Sequence, residues 1–531
     1  MYDKSTGNIY MGLDDSGNKV YMQLSQSNRH GLIAGASGTG KTITMKVMAE
    51  SFSAAGVPVF MCDIKGDVSG ICAPGNDSAG MQKRIDKFGI RDTFVYRDYP
   101  TVFYDIYGRG GHPVRTTISD VGSSLLSRML NLSDVQEGVL NTIFRIADDR
   151  ELLLLDMKDL RAIINYVNEH RSEYTVSYGN MAPQSIGVIT RALIPLEEQG
   201  GTDFFGEPAL NINDWIRLAP DGRGYINVLH CTEVIKYPKL YAMFMLWMLA
   251  ELFEVLPEVG DAAKPRLVFF FDEAHVLFKD SPKPLVAKIE QTVKLIRSKG
   301  VGIYFVTQSP SDIPDLVLAQ LSNRVQHALR AYTPSEQKAV RAASQSFRVN
   351  PAFKTEDVIM TLGTGEALTS FLDAAGVPSI VQKTAIICPE SLMAPCTQER
   401  KAEVMSYSPV YGRYDVAVDN ESAYEILMRE DDLAAEKAEL DRQRAELEAE
   451  KARIESELKK AQDDAVKAAE AARLKAEKEA AVIEAKAQKA AEKEAAAKKK
   501  KKDRIISKIE TQLISTGGQL LRRGLFGILK R

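Results

Sequence analysis

The stretch Gly35-Ala36-Ser37-Gly38-Thr39-Gly40-Lys41-Thr42 constrains this chain more than any other. It matches GxxxxGK[ST], follows the apolar run GLIA ending at Ala34, and opens a helical pattern over Thr42 to Ala54. Strand, glycine loop and helix in that order make a phosphate cradle. Glycines let successive backbone N–H groups turn toward one anion, and the helix N-terminus adds the positive end of its dipole. Lys41 then bridges the β- and γ-phosphates of ATP, and the Thr42 hydroxyl holds Mg²⁺. The sequence predicts a P-loop ATPase with ATP and Mg²⁺ as cofactors.

Composition fits a folded, water-facing body: of 531 residues, 45% are hydrophobic and 26% charged. Lys plus Arg total 68 against 71 Asp plus Glu, so the whole molecule has no net attraction for nucleic acid or membrane. Cys62, Cys72, Cys231, Cys388 and Cys396 form no CxxC pair and suit free thiols in a reducing compartment. The N-terminus lacks the pattern of a secretory signal. The most apolar window, Leu240 to Leu256, is interrupted by Glu251 and Glu254 before it could span a bilayer core of roughly 30 Å, so a buried core helix is expected there. These features predict a cytoplasmic protein.

Residues 1–28 alternate around Asp15-Ser16-Gly17-Asn18 and predict a β-hairpin acting as a small lid. Residues 29–118 carry the phosphate loop and a βαβ unit of a parallel sheet, with a strand at Val57 to Cys62. Residues 119–215 change to helical periodicity and predict a helical insertion. Over 216–410, β-branched and aromatic runs return at Gly224 to Leu229, Leu267 to Phe271, Val301 to Val306 and Arg324 to Leu329, in the style of strands buried on both faces. A linker is expected over 411–423. From 424 to 502 the chain is rich in Ala, Glu, Lys and Arg, without Gly or Pro, and predicts one long helix. Ile426, Leu433, Leu440, Leu447 and Ile454 recur every seven residues, but their heptad partners are charged or polar, so only half a coiled-coil seam is present. Pairs such as Glu455 with Lys459 and Asp463 with Lys467 would support a solvated helix beyond it. Residues 503–531 form a basic amphipathic tail that follows the run Lys498 to Lys502.

The second half of the site is LVFFFDEAH, a buried strand that empties into Asp272 and Glu273. An acidic residue leaving a strand beside the phosphate loop suits metal, and the next carboxylate suits activation of the attacking water. His275 completes the letters DEAH without the other motifs of the helicases named for them, and is read as incidental. The run VGIYFVTQSPSDIP ends a strand in Thr307 and Gln308, whose amide could sense the γ-phosphate.

Together GASGTGKT, VFMCDIKGDVSGI, LVFFFDEAHVLF, FVTQSPSDIP and LSNRVQHALRAYTPSEQKAV resemble the HerA and FtsK branch of P-loop motor ATPases, above all bacterial HerA-like helicase-domain proteins. The resemblance covers roughly residues 1–400. It implies a RecA-like, mainly parallel α/β sheet, a hexameric ring, ATP hydrolysis between subunits and translocation on double-stranded DNA. It also implies an arginine supplied in trans, for which Arg324 and Arg330 are the candidates, with Arg297 behind them. Asp63 stands at an acidic strand end of the family pattern, whereas Lys65 departs from it and has no assigned role. The β-barrel that HerA proper carries ahead of its ATPase is missing from the short stretch before the loop, so a nuclease partner is not implied.

Whether DNA is the object moved is open in the residues themselves. Lys279, Lys283, Lys288, Lys294, Arg297 and Lys299 could face a pore, yet Leu285, Ile289, Val293 and Ile296 make the same stretch an ordinary amphipathic helix. The competing reading is an ATP-gated scaffold that binds an anionic membrane or a protein partner through its basic tail, peripheral to the inner membrane.

Overall fold

The computed structural model describes residues 1–260, 262–279 and 283–487. Two compact units divide the chain, Met1–Glu430 and Asp431 onward. The strands are β1 (Tyr2–Asp3), β2 (Asn8–Asp14), β3 (Lys19–Met22), β4 (Gly31–Ala34), β5 (Val59–Asp63), β6 (Thr101–Asp105), β7 (His112–Pro113), β8 (Ile226–His230), β9 (Leu267–Phe271), β10 (Val301–Thr307), β11 (Asn323–Gln326), β12 (Glu366–Ser370) and β13 (Gln382–Ile386). They form one sheet in the order β1-β2-β13-β12-β11-β4-β10-β9-β5-β8-β6-β7, with β3 on β2. From β11 to β7 every pairing is parallel, while β12, β13, β2, β1 and β3 pair antiparallel. The fold is α/β with a mostly parallel sheet.

The apolar runs become strands covered on both sides because successive side chains leave a pleated strand on opposite faces. Phe269 and Phe271 of β9 meet Phe305 of β10 in one core, and Val268 and Phe270 meet Tyr304 in the other. Two buried layers therefore flank the site-bearing strands and hold their ends in register.

Several expectations are corrected. The N-terminal hairpin is no lid, because β2 pairs with β13 through Gly12, Leu13 and Asp14 and so extends the sheet. Strands β6, β12 and β13 and the two-residue β1 and β7 were not foreseen; β12 (EALTS) and β13 (QKTAI) each hold only two apolar residues among Glu, Thr, Ser, Gln and Lys, which hides them from a search for continuous apolar runs. Residues 411–423 are not a free tether: Tyr414 is buried, and its hydroxyl donates to Asp214 Oδ2 at 2.5 Å.

Between β7 and β8 lie the helices Ile118–Met129, Asp134–Asp149, Met157–Glu169, Arg171–Tyr178 and Pro183–Leu196. Their buried Leu140, Ile143, Ile163 and Ile189 share one core with Phe269 and with the helix Pro238–Val255. That last helix is buried along nearly its whole length, and no described helix is long and apolar enough to cross a membrane.

The long helix spans Ala423–Ala487, roughly 100 Å at its ordinary rise. Its first turns belong to the first unit, where the Ser422 hydroxyl and the Tyr424 N–H both donate to Asp159 Oδ1. In the second unit Leu433, Leu440 and Leu447 are 64%, 48% and 50% exposed, so the seven-residue stripe finds no cover among the described residues. Among the described residues of this unit, the i,i+4 ion pairs are Arg442–Glu446, Arg453–Glu457 and Arg473–Glu477. The run Lys498 to Lys502 and the tail 503–531 lie outside the described residues.

Candidate active site

The adjacent strands β4, β10, β9 and β5 run parallel, so their carboxyl ends open on one edge of the sheet. Ligands of open α/β sheets bind outside such ends. Each of the four strands delivers one part of the site.

From β4 comes the phosphate loop, and Lys41 begins the helix Lys41–Ala54. Gly35 has φ 154°, and a Cβ there would come within 2.5 Å of His327 Cβ, so only glycine lets the loop pass this close to His327. Ser37 and Gly38 are exposed, and the Thr39 hydroxyl donates to Ala36 O at 2.7 Å. The Lys41 ammonium donates to Gly35 O at 2.7 Å and Ala36 O at 3.1 Å, inside the curl of the loop. Burial lowers its pKa, with the Glu273 charge opposing.

His327, just beyond β11, supports the loop from beneath and was not singled out in the sequence. Its Nδ1 lies 2.9 Å from Glu366 O, and its Nε2 lies 2.9 Å from the Thr44 hydroxyl. A carbonyl can only accept, so Nδ1 carries the proton, and in the neutral ring Nε2 accepts from the Thr44 hydroxyl. Burial pushes His327 down to about 4. The unfolded chain therefore takes up this proton first as pH falls, and the stability contribution, complete above about 6.5, drains away toward pH 4. The buried carboxyls of Glu50 and Asp63, pushed up to about 7 and about 6, titrate in the opposite sense. A difference measurement isolates the histidine. In urea unfolding, the stability of the natural protein minus that of His327→Gln is expected to fall by about 3 kcal/mol between pH 7 and pH 4. A flat difference would show that the ring protonates freely in the fold.

From β9 come Asp272 and Glu273. Asp272 is 4% exposed; its Oδ1 accepts the Glu273 N–H at 2.9 Å, and its buried Oδ2 has no hydrogen-bond partner among the described residues. Such an unmet carboxylate oxygen costs several kcal/mol unless something supplies positive charge. A buried carboxylate oxygen of this kind, with the hydroxyl of the partly exposed Thr42 as a second oxygen donor, is chemically suited to Mg²⁺, a hard cation that takes one or two protein oxygens and fills the rest of its shell from phosphate and water. Burial, with the Glu273 charge behind it, pushes the Asp272 carboxyl up to about 7.

Glu273 sits at φ 44°, a conformation that non-glycine residues adopt at a cost and that clusters at functional positions. Its Oε2 accepts from Gln308 Nε2, beyond β10, at 3.3 Å, and lies 3.3 Å from His275 Nδ1. Its Oε1 accepts from Lys65 Nζ, beyond β5, at 2.6 Å. Burial pushes this carboxyl up, but the Lys65 ammonium, with Gln308 and His275 behind it, outweighs that push and the pKa is lowered. His275 is thus part of the Glu273 surroundings rather than incidental, and Lys65 gains a partner. Lys65 had no signal in spacing, because its contact depends on which strand ends are neighbours in the sheet, whereas His275 stands two residues from Glu273 on the same segment.

The arginines separate. The Arg324 guanidinium donates to the backbone carbonyls of Leu318, Leu321 and Ser346, so each of its three nitrogens is engaged inside this chain. Arg330 is exposed; its guanidinium donates to Met360 O at 2.9 Å, and it shares a cleft with Ala36, Ser37 and Gln308. Arg297 lies in the short turn Arg297–Lys299 ahead of β10, at the opposite end of that strand from Thr307.

This architecture is similar to that of the plasmid coupling protein TrwB in complex with ADP and Mg²⁺, at TM-score 0.50 and 14% identity over 74% of this chain and 92% of that one. It is also similar to VirB4 of Thermoanaerobacter pseudethanolicus, at TM-score 0.46 and 15% identity over 71% of this chain and 95% of that one. Identities this low speak to the fold alone. No curated protein matches the sequence at a significant level. The sequence itself reaches further than the fold, matching the helicase HerA-like C-terminal family over residues 9–530, and the chain belongs to that family.

Proposed function

We propose that this protein is a Mg²⁺-dependent ATPase that works as a ring, a hexamer by its family likeness, and moves on double-stranded DNA in the cytoplasm. The observation that carries the chemistry is the buried Asp272 Oδ2, without a partner among the described residues, next to a Glu273 carboxylate gripped from both sides. In this reading the N–H groups of residues 35 to 42 and the Lys41 ammonium bind the phosphates. Thr42 and Asp272 would hold Mg²⁺, which when bound neutralises charge on the phosphate oxygens. Glu273 orients the attacking water and takes its proton, and the Gln308 amide holds the carboxylate while reaching toward the γ-phosphate. Arg330, whose guanidinium is exposed, is the better of the two arginines for a neighbouring subunit's site; Arg324 is committed to its own backbone.

Support for DNA is the family and one basic helix face. In the helix Lys283–Ile296, Ile289, Val293 and Ile296 are buried, while Lys283 and Lys294 are exposed; the side chain of Leu285 lies outside the described residues. The test is ATP turnover against duplex DNA, single strands and anionic vesicles, with mass measured in solution. Duplex DNA is expected to stimulate turnover several-fold, and raised salt to abolish the effect as counterion release weakens binding. Stimulation by vesicles alone would replace this reading with the scaffold acting through the tail.

A further inference from the structure

Lys65 has no part in the chemistry described so far, yet it makes the shortest contact to the acidic pair. We propose that Lys65 is a positioning residue for ATP hydrolysis, clamping the Glu273 carboxylate from the β5 side of the sheet while Gln308 holds it from the β10 side. The inference rests on Glu273 being the residue that orients water.

The sheet order supplies the argument. Strand β9 lies between β10 and β5, so a carboxylate at the mouth of β9 can be reached from both neighbours and from few other places. One neighbour provides Gln308 Nε2 on Oε2 at 3.3 Å, and the other provides Lys65 Nζ on Oε1 at 2.6 Å. Each oxygen is thus tied to a different strand end, which fixes the plane of the carboxylate as well as its position.

The arm holding Lys65 is itself braced. Asp63 at the end of β5 is buried, and its Oδ1 accepts the Gly66 N–H at 2.8 Å and the Val68 N–H at 3.4 Å, closing a tight turn around Lys65. The ion pair is half sheltered, with the lysine side chain 47% exposed and the glutamate side chain 8% exposed. A fully exposed pair would be worth little, but one whose acid is buried and whose base stands on a fixed turn can hold geometry.

Glu273 also needs such a hold. Its positive φ leaves its backbone in a conformation that surrounding contacts must impose, and a water-orienting group displaced by about 1 Å can lose about 100-fold in rate. Lys41 from the phosphate loop, and Asp272 and His275 from its own segment, also act on the carboxylate. None of these approaches from the β5 side.

The test uses the full chain and ATP. Lys65→Met keeps the aliphatic stem and removes the donor; it is expected to lower kcat about 10- to 100-fold, with KM for ATP changed less than about two-fold and the melting temperature kept. Lys65→Arg, which restores a cation at that place, is expected to recover most of the loss. Adding Lys65→Met to Glu273→Gln is expected to cost almost nothing further, because the carboxylate to be aligned is already gone. An unchanged or raised kcat in Lys65→Met would overturn the proposal, as would a raised KM at normal kcat, which would make Lys65 a contact of ATP instead. Full additivity in the double variant would also overturn it. Normal turnover by Glu273→Gln alone is a separate failure, since it removes the base on which the proposal rests and is read without any change at Lys65.

Discussion

Glu273→Gln is expected to bind ATP with nearly normal affinity and to hydrolyse it about 10²- to 10⁴-fold more slowly, the range lost when a positioned general base is removed. The substitution is nearly isosteric. Its amide oxygen can still accept from Lys65 and its backbone N–H still reaches Asp272 Oδ1, so the β9 mouth keeps its shape. What disappears is the negative charge that draws a proton from water. Binding of a fluorescent ATP analogue beside a single-turnover hydrolysis rate separates the two effects. A normal single-turnover rate would remove Glu273 from the reaction.

The second large effect is at Lys41. Lys41→Ala is expected to weaken ATP binding roughly 100-fold, the loss of one or two charge-assisted hydrogen bonds to phosphate. Stability should hardly move. The ammonium is partly buried, and burial pulls its pKa below the usual lysine range, so the fold bears a cost for keeping it charged beside Gly35 O and Ala36 O. Removing it relieves that cost while exposing the two carbonyls to water. Isothermal titration with ATP and a thermal melt make the comparison. Tight binding retained by Lys41→Ala would show that the loop does not read phosphate through this residue.

Particular residues show why parts of the site were legible and others not. Gly35, Lys41 and Thr42 announce themselves because the phosphate loop is local: its donors are consecutive in the chain, so its geometry is written in consecutive letters. Asp272 and Gln308 could be named because each ends a continuous apolar run, and in a parallel sheet such ends share one edge. His327 could not. It lies beyond β11, which is beside β4 only because the strand order places it there, and a histidine after an apolar run is more often simply buried. The same holds for Arg324, which as a letter near the end of the sheet was as good a candidate as Arg330 until three backbone carbonyls were found on its guanidinium.

Local chemistry alone was enough for the sequence to determine a phosphate loop, a parallel α/β core and a long charged helix, because each depends on neighbours in the chain or on a short period. Only the tertiary structure decided which strand ends meet. Strand β5 lies directly beside β9, so a lysine that fits no motif, 208 residues from Glu273 in the chain, closes on that glutamate. The physical reason is that strand order is set by how whole faces pack against the two cores, and no stretch of a few residues records that choice.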